Sequence, residues 1–153
     1  MGVLGLGIDL VEVGSFGEQL VRAGSTFGEG TFTADELAAA LKAGECGTPA
    51  FARHLAARFA AKESFVKAWS MGRAGMEPAM TNIRWHEIEI HSDSWGRPRL
   101  RLSGETARLV ADAFGAVEIS VSMTHEDSMA AAVAVISAVG DDPLRATAVG
   151  ERP

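Results

Sequence analysis

The stretch from Phe51 to Met71 constrains the fold more than any other part of the chain, because it reads as a long helix with charges where core residues belong. Pro49 suits the first helical position ahead of it, and Gly44 to Thr48 breaks the segment before. At about 100° per residue, Phe51, Leu55, Phe59, Val66 and Trp69 line up as one apolar stripe. Arg58 and Lys62 fall inside that stripe, one turn apart. Glu63 and Lys67 flank it, also one turn apart. Burying an unpaired charge costs several kcal/mol, so these residues need an account.

Two accounts are open on this helix alone. Glu63 and Lys67 can form a surface i,i+4 pair contributing about 0.3–0.5 kcal/mol, while Arg58 and Lys62 snorkel out of the core edge. Alternatively the helix forms a cleft wall, where cations meet phosphates and Glu63 holds a metal ion. Asp9 bears on the choice. It stands in the aliphatic strand Val3–Val13, where a carboxylate needs a partner or a metal. A strand carboxylate and a helix carboxylate suit magnesium, which takes one or two protein carboxylates and completes its shell with water and substrate phosphates. His125 ends a strand at a turn, and a lone histidine there is more often a surface or capping group. Trp95-Gly96-Arg97-Pro98 reads as a hairpin turn. The four histidines show no metal-ligand spacing.

Around the long helix, the chain alternates helical and strand signals. Phe16–Ala23 has helical spacing with Ser15 as a cap, and Gly24–Gly30 is a loop. Thr33-Ala34-Asp35-Glu36 forms a capping box for a helix to about Ala43. Arg84–His91 and Arg99–Leu102 make a hairpin. Ser103 caps a helix that ends at Gly115. Val117, Ile119, Val121 and Met123 alternate with polar residues in a half-buried strand. Met129–Val139 reads as a strand buried on both faces. The expectation is one α+β domain over residues 1–139, followed by a loose tail, 140–153. Over the 153 residues the formal net charge is −6, which argues against a nucleic-acid partner. Cys46 is the single cysteine and predicts a reducing compartment. With no signal-peptide pattern and no run of about 20 apolar residues, a cytoplasmic protein without a membrane partner is expected.

Three segments, in order, carry a resemblance. They are Gly7-Ile8-Asp9-Leu10-Val11-Glu12, then Arg58-Phe59-Ala60-Ala61-Lys62-Glu63-Ser64-Phe65-Val66-Lys67-Ala68, then Val121-Ser122-Met123-Thr124-His125. Together with Glu87-Ile88-Glu89-Ile90, Asp93 and Gly96-Arg97-Pro98, they resemble the holo-acyl-carrier-protein synthases, the small 4′-phosphopantetheinyl transferases. The wording around His54–Arg58 and Trp95–Arg99 is most similar to actinobacterial members. The resemblance implies the phosphopantetheinyl transferase fold, a long helix on an antiparallel sheet, in a homotrimer with coenzyme A at subunit interfaces. It also implies magnesium ligands at Asp9 and Glu63, and a lysine near the diphosphate at Lys67. Coenzyme A contacts are implied at Arg58, Lys62, Lys67 and His125.

The activity implied is transfer of the phosphopantetheine arm from coenzyme A to a serine of an apo acyl carrier protein. For the actinobacterial group, that acceptor is a carrier domain of a type I fatty acid synthase. The catalytic set would be Glu63, Lys67 and Asp9, with Glu63 or a metal-bound water as base. The same carboxylates also admit a magnesium-dependent diphosphate hydrolase acting on coenzyme A, or a noncatalytic coenzyme A-binding oligomer. Two departures stand out. The first helix carries Gly14-Ser15-Phe16-Gly17-Glu18 where many members are basic, with Arg22 the nearest cation. Met123-Thr124 also replaces the commoner Ile-Ser before the histidine.

Overall fold

The computed structural model describes residues 2–139, and the predicted tail, 140–153, lies outside the described residues. In chain order the elements are β1 (Val3–Glu12), α1 (Val13–Val21), α2 (Phe27–Thr31), α3 (Ala34–Ala43), α4 (Pro49–Met71), β2 (Ile88–Ser92), β3 (Pro98–Leu102), α5 (Gly104–Phe114), β4 (Val117–His125) and β5 (Met129–Ala138), with a 3-10 turn at Trp85–Glu87. Three strands form an antiparallel sheet in the order β1-β5-β4, and β2 and β3 form a separate hairpin. No described helix is long and apolar enough to cross a membrane.

Local chemistry explains most boundaries. Thr33 accepts from the Glu36 amide and Glu36 reaches back to the Thr33 amide, the expected capping box. Thr48 caps α4 by accepting from the Phe51 amide, with Pro49 just inside. Two starts differ from expectation. Glu12, not Ser15, caps α1: its carboxylate accepts from the amides of Gly14 and Ser15 at 2.9 and 2.6 Å. Ser103 makes no side-chain cap on α5. Instead Glu87, arriving from the 3-10 turn, accepts from the Thr106 amide and hydroxyl at 2.7 and 2.8 Å. The loop expected at Gly24–Gly30 contains the short α2.

Helix α4 lies across one face of the sheet, close to β1. Gly5 and Gly7 permit this approach: a Cβ on Gly5 would collide with the Ala68 carbonyl, and one on Gly7 with the Ser64 carbonyl. The helix divides the core. Phe16, Phe32, Phe51, Leu55 and Ile90 surround its first half, and Phe65, Trp69, Ile88, Val110 and Ile136 surround its second. The opposite sheet face is uncovered. Leu6, Ile8 and Leu10 are exposed there, beside Val133 and Val135 of β5. β5 is therefore buried on one face only, through Ala130, Ala132, Ala134 and Ile136, rather than on both.

Lys62, expected at a phosphate, lies inside the fold. Its ammonium is fully buried on the side of α4 away from the sheet. It donates to Glu36 at 2.7 Å, to the Thr31 carbonyl at 2.7 Å and to the Trp85 carbonyl at 3.1 Å. It neither snorkels out nor lines the cleft at Asp9 and Glu63. Glu36 completes the network by accepting from the Ile90 amide at 2.9 Å, so one ion pair joins α3, α4, the 3-10 turn and the β2 hairpin.

Candidate active site

Three of the expected residues meet on the β1 side of α4. Asp9 points inward from β1, and its carboxylate accepts from Lys67 at 2.7 Å. Lys67 also donates to the Ile8 carbonyl at 3.2 Å. It thus pairs across 58 residues of sequence rather than with Glu63 one turn away. Glu63 stands half-buried beside this pair. Burial raises its pKa first and the neighbouring Asp9 carboxylate second, while Lys67 opposes them. Lys67 is mostly exposed, and its bond to Asp9 holds its pKa up.

Asp9 and Glu63 open into a cleft of about 550 Å³ between α4 and α1, with Lys67 held beside it by its bond to Asp9. Asp9 and Glu63 line one wall, and Ser15 and Gln19 of α1, with Arg22 just past its end, line the other. That these residues face the site was not legible in the sequence, because nothing in a nine-residue helix says which strand or helix it faces. Glu12 also borders the cleft, but both its oxygens are engaged as the α1 cap, which keeps its pKa low.

Two carboxylates close enough to raise a pKa, in a solvent-open cleft, are a poor arrangement without a cation. Lys67 answers one of them. Among the described residues no cluster of three or more His, Cys, Asp or Glu is placed to hold a metal ion. The donor set is therefore two carboxylate groups, which fits a magnesium ion that keeps waters and substrate oxygens for its remaining positions.

The other implied contacts lie elsewhere on the helix. His54 and Glu63 are nine residues apart, so at about 100° per residue they project half a turn from each other. Arg58 lies on the His54 side and is 5% exposed. It donates Nη1 to the His54 carbonyl at 3.2 Å, and its Nε is buried without an acceptor. Burial pulls its pKa down, with Glu36 opposing. His125 ends β4, exposed, in register with Ala130. It is near enough to His54 to contribute, with burial and Arg58, to lowering the His54 pKa to about 4. The structure thus groups Asp9, Glu63 and Lys67 on one edge of α4 and places Arg58 and His125 on the other.

Residues 5–133 match the family model described as the 4′-phosphopantetheinyl transferase superfamily. A holo-[acyl-carrier-protein] synthase of Mycolicibacterium smegmatis is 48% identical over 136 residues, covering 89% of this chain and 98% of that protein. That of Mycobacterium tuberculosis strain H37Rv is 46% identical over 138 residues, covering 90% and 99%. Among solved structures, an ACPS–CoA complex from Chronobacterium ammoniagenes superposes with a TM-score of 0.81 at 36% identity, covering 92% of this chain and all of that one. The acyl carrier protein synthase of M. tuberculosis superposes with a TM-score of 0.68 at 41% identity, covering 90% of this chain and all of that one. A match over most of the chain, on the fold that brings Asp9, Glu63 and Lys67 together, makes this chain a member of the 4′-phosphopantetheinyl transferase superfamily.

Proposed function

We propose that the chain is a holo-acyl-carrier-protein synthase that transfers 4′-phosphopantetheine from coenzyme A to a serine hydroxyl of an apo carrier domain. The observation that carries this reading is the meeting of Asp9 and Glu63 at one open cleft walled by α1, with Lys67 paired to Asp9. An acceptor as large as a carrier domain needs such open access. The family's relatives named above act as synthases of this kind, and one was solved with coenzyme A.

Asp9 and Glu63 would hold a magnesium ion, whose chemistry at such a site is to neutralise diphosphate oxygens and polarise the phosphorus. Lys67, exposed and tethered only to Asp9 and the Ile8 carbonyl, has the reach to follow charge onto the bridging oxygen. The serine oxygen forms a bond to the phosphorus that carries the pantetheine arm. The bond from that phosphorus to the bridging oxygen breaks, and adenosine 3′,5′-bisphosphate leaves with the electron pair. Glu63, or a water on the metal it would hold, would take the serine proton. Positioning and charge neutralisation supply most of the rate in such transfers.

Arg58 and His125 would bind a second phosphate of coenzyme A, away from the diphosphate. Because they lie on the opposite edge of α4, one chain's cleft would use a neighbour's pair in a homotrimer. The uncovered face of Leu6, Ile8, Leu10, Val133 and Val135 supports an assembly interface, since apolar sheet faces are seldom left to water. We assign the acceptor to a fatty acid synthase carrier domain and the reaction to the cytoplasm. Arg22, just past the end of α1 and lining the cleft, is the cation available to an acidic carrier.

Intact-mass measurement of an apo carrier domain, incubated with this protein, coenzyme A and magnesium, tests the reading. The carrier should gain one phosphopantetheine arm, and EDTA or Glu63→Ala should abolish the gain. Lys67→Ala should lower turnover more than coenzyme A affinity. Consumption of coenzyme A without a modified carrier would replace this reading with a hydrolase.

A further inference from the structure

Beyond Glu63, the second half of α4 and the loop that follows it enclose a cavity of about 180 Å³. Val66 and Trp69 line it from the helix, and Met76, Pro78, Met80 and Ile83 line it from the loop. The loop wall is fixed by its own bonds. Arg73 donates Nη2 to the Glu77 carbonyl at 3.0 Å, and the Met76 amide donates to the Arg73 carbonyl at 2.9 Å. Gly75 turns the chain between them at a φ of 85°, which favours glycine. A mostly apolar lining with a few polar groups is the composition of a small-molecule site. Taking about 30 Å³ for each water-sized group, the cavity holds roughly six methylenes, which suits a short chain rather than a nucleotide.

We propose that this cavity receives the acyl group of a short-chain acyl-coenzyme A, so that the enzyme also transfers acylated phosphopantetheine arms, up to a chain length of about six carbons. The inference rests on the reading of Asp9, Glu63 and Lys67 as the diphosphate site. Val66 and Ser70, which line the cavity, lie three and seven residues past Glu63 on the same face of α4. Seven residues of helix span about 10 Å, and the phosphopantetheine arm, with a backbone as long as about four extended residues, reaches roughly 14 Å. An arm that leaves the phosphorus along this face therefore sets its sulfur at the cavity. The acceptor comes from the other direction, because the cleft walled by α1 meets α4 at Phe59 and Glu63, before the cavity begins. The transfer step is unchanged. The serine oxygen bonds to phosphorus, the bond to the bridging oxygen breaks, and adenosine 3′,5′-bisphosphate leaves with the electron pair. The serine proton goes where it goes with free coenzyme A, and the thioester is untouched. The product is an acylated carrier domain.

Intact-mass kinetics on an apo carrier domain with magnesium separate the donors, because each acyl group adds its own mass. Coenzyme A and its butyryl, hexanoyl, decanoyl and palmitoyl thioesters are compared. Butyryl and hexanoyl donors should react with kcat/KM within a few-fold of coenzyme A. Decanoyl and palmitoyl donors should react at least about tenfold more slowly, since one surplus methylene in an apolar pocket is worth about 10–200-fold. Ala79 also lines the cavity. Ala79→Phe fills it and should lower the ratio of hexanoyl to coenzyme A transfer about tenfold or more. Met80→Ala widens it and should raise the ratio for decanoyl, which keeps the test if Ala79→Phe does not fold. Equal transfer from all donors, with ratios unmoved in either variant, would overturn the role of the cavity. So would failure of every acyl donor beside an active coenzyme A. An equal loss with coenzyme A and hexanoyl-coenzyme A in Ala79→Phe would give the cavity to the arm itself and overturn the acyl role too. Absence of transfer from coenzyme A to the carrier would instead overturn the synthase reading on which the inference rests.

Discussion

Lys62→Met should unfold this protein far more readily than it disturbs its chemistry. The side chains of Lys62 and Glu36 are 0% and 1% exposed and 2.7 Å apart. Removing the ammonium leaves Glu36 buried with its charge uncompensated, and strips the Thr31 and Trp85 carbonyls of their shared donor. Breaking a buried pair on one side costs about 3–5 kcal/mol. For a domain of this size each kcal/mol shifts Tm by roughly 2–4 °C, so Lys62→Met should melt about 6–20 °C lower. Glu36→Gln strands the ammonium instead and should cost a comparable amount. The double variant should be less destabilised than the sum of the two, with a coupling of about 2 kcal/mol or more in a urea-denaturation cycle. Below its melting point Lys62→Met should keep its KM for coenzyme A within a few-fold, because Lys62 faces α3 and β2 rather than the cleft. A Lys62→Met protein with native stability and a sharply raised KM would refute this reasoning and return Lys62 to the phosphate site.

Two further outcomes follow from particular contacts. Gly7→Ala sets a Cβ against the Ser64 backbone carbonyl, which cannot rotate away, so its destabilisation should reach or exceed the upper end of the usual about 1–3 kcal/mol for overpacking, read as a lowered urea midpoint. His54 has a folded pKa of about 4, below its ordinary value of 6.5. The unfolded chain therefore takes up this proton first as pH falls, and the stability attached to neutral His54 is lost between those two values. Urea midpoints at pH 7 and pH 4.5 should drop more for the native protein than for His54→Phe; an equal drop would remove His54 from the acid response.

The parts of this fold legible in the sequence are those fixed by near neighbours. The Thr33 capping box, the Thr48-Pro49 entry to α4 and the alternation of β4 each depend on residues within a few positions. The resemblance located Asp9, Glu63 and Lys67. What stayed hidden depends on distant partners. A helical wheel puts Lys62 in the apolar stripe but cannot show that Glu36, already occupied as a cap, waits opposite it. Lys67 looks like the partner of Glu63 until β1 brings Asp9 closer. Small residues on both faces of β5 carry no periodicity, so its bare face could not be read.

The two edges of α4 raise one question that mixing of subunits can answer. In a single chain Glu63 and Arg58 project from different sides of the helix, so a coenzyme A bound along the Glu63 cleft meets the Arg58 edge of another copy if the sites are shared. A closed ring of three copies with head-to-tail contacts would place each cleft beside a neighbour's Arg58 edge. Glu63→Ala and Arg58→Ala subunits are each expected to be inactive as pure assemblies. Co-expressed in equal amounts and randomly assembled, a site would be intact when its cleft comes from an Arg58→Ala chain and its Arg58 edge from a Glu63→Ala chain. That happens with a chance of one half for each, so about a quarter of native activity should return in a cyclic trimer. Sites built within single chains would give no recovery, because every chain lacks one of the two residues. Recovery near a quarter would establish the shared site, whereas none, from assemblies shown to be mixed, would place coenzyme A within one chain.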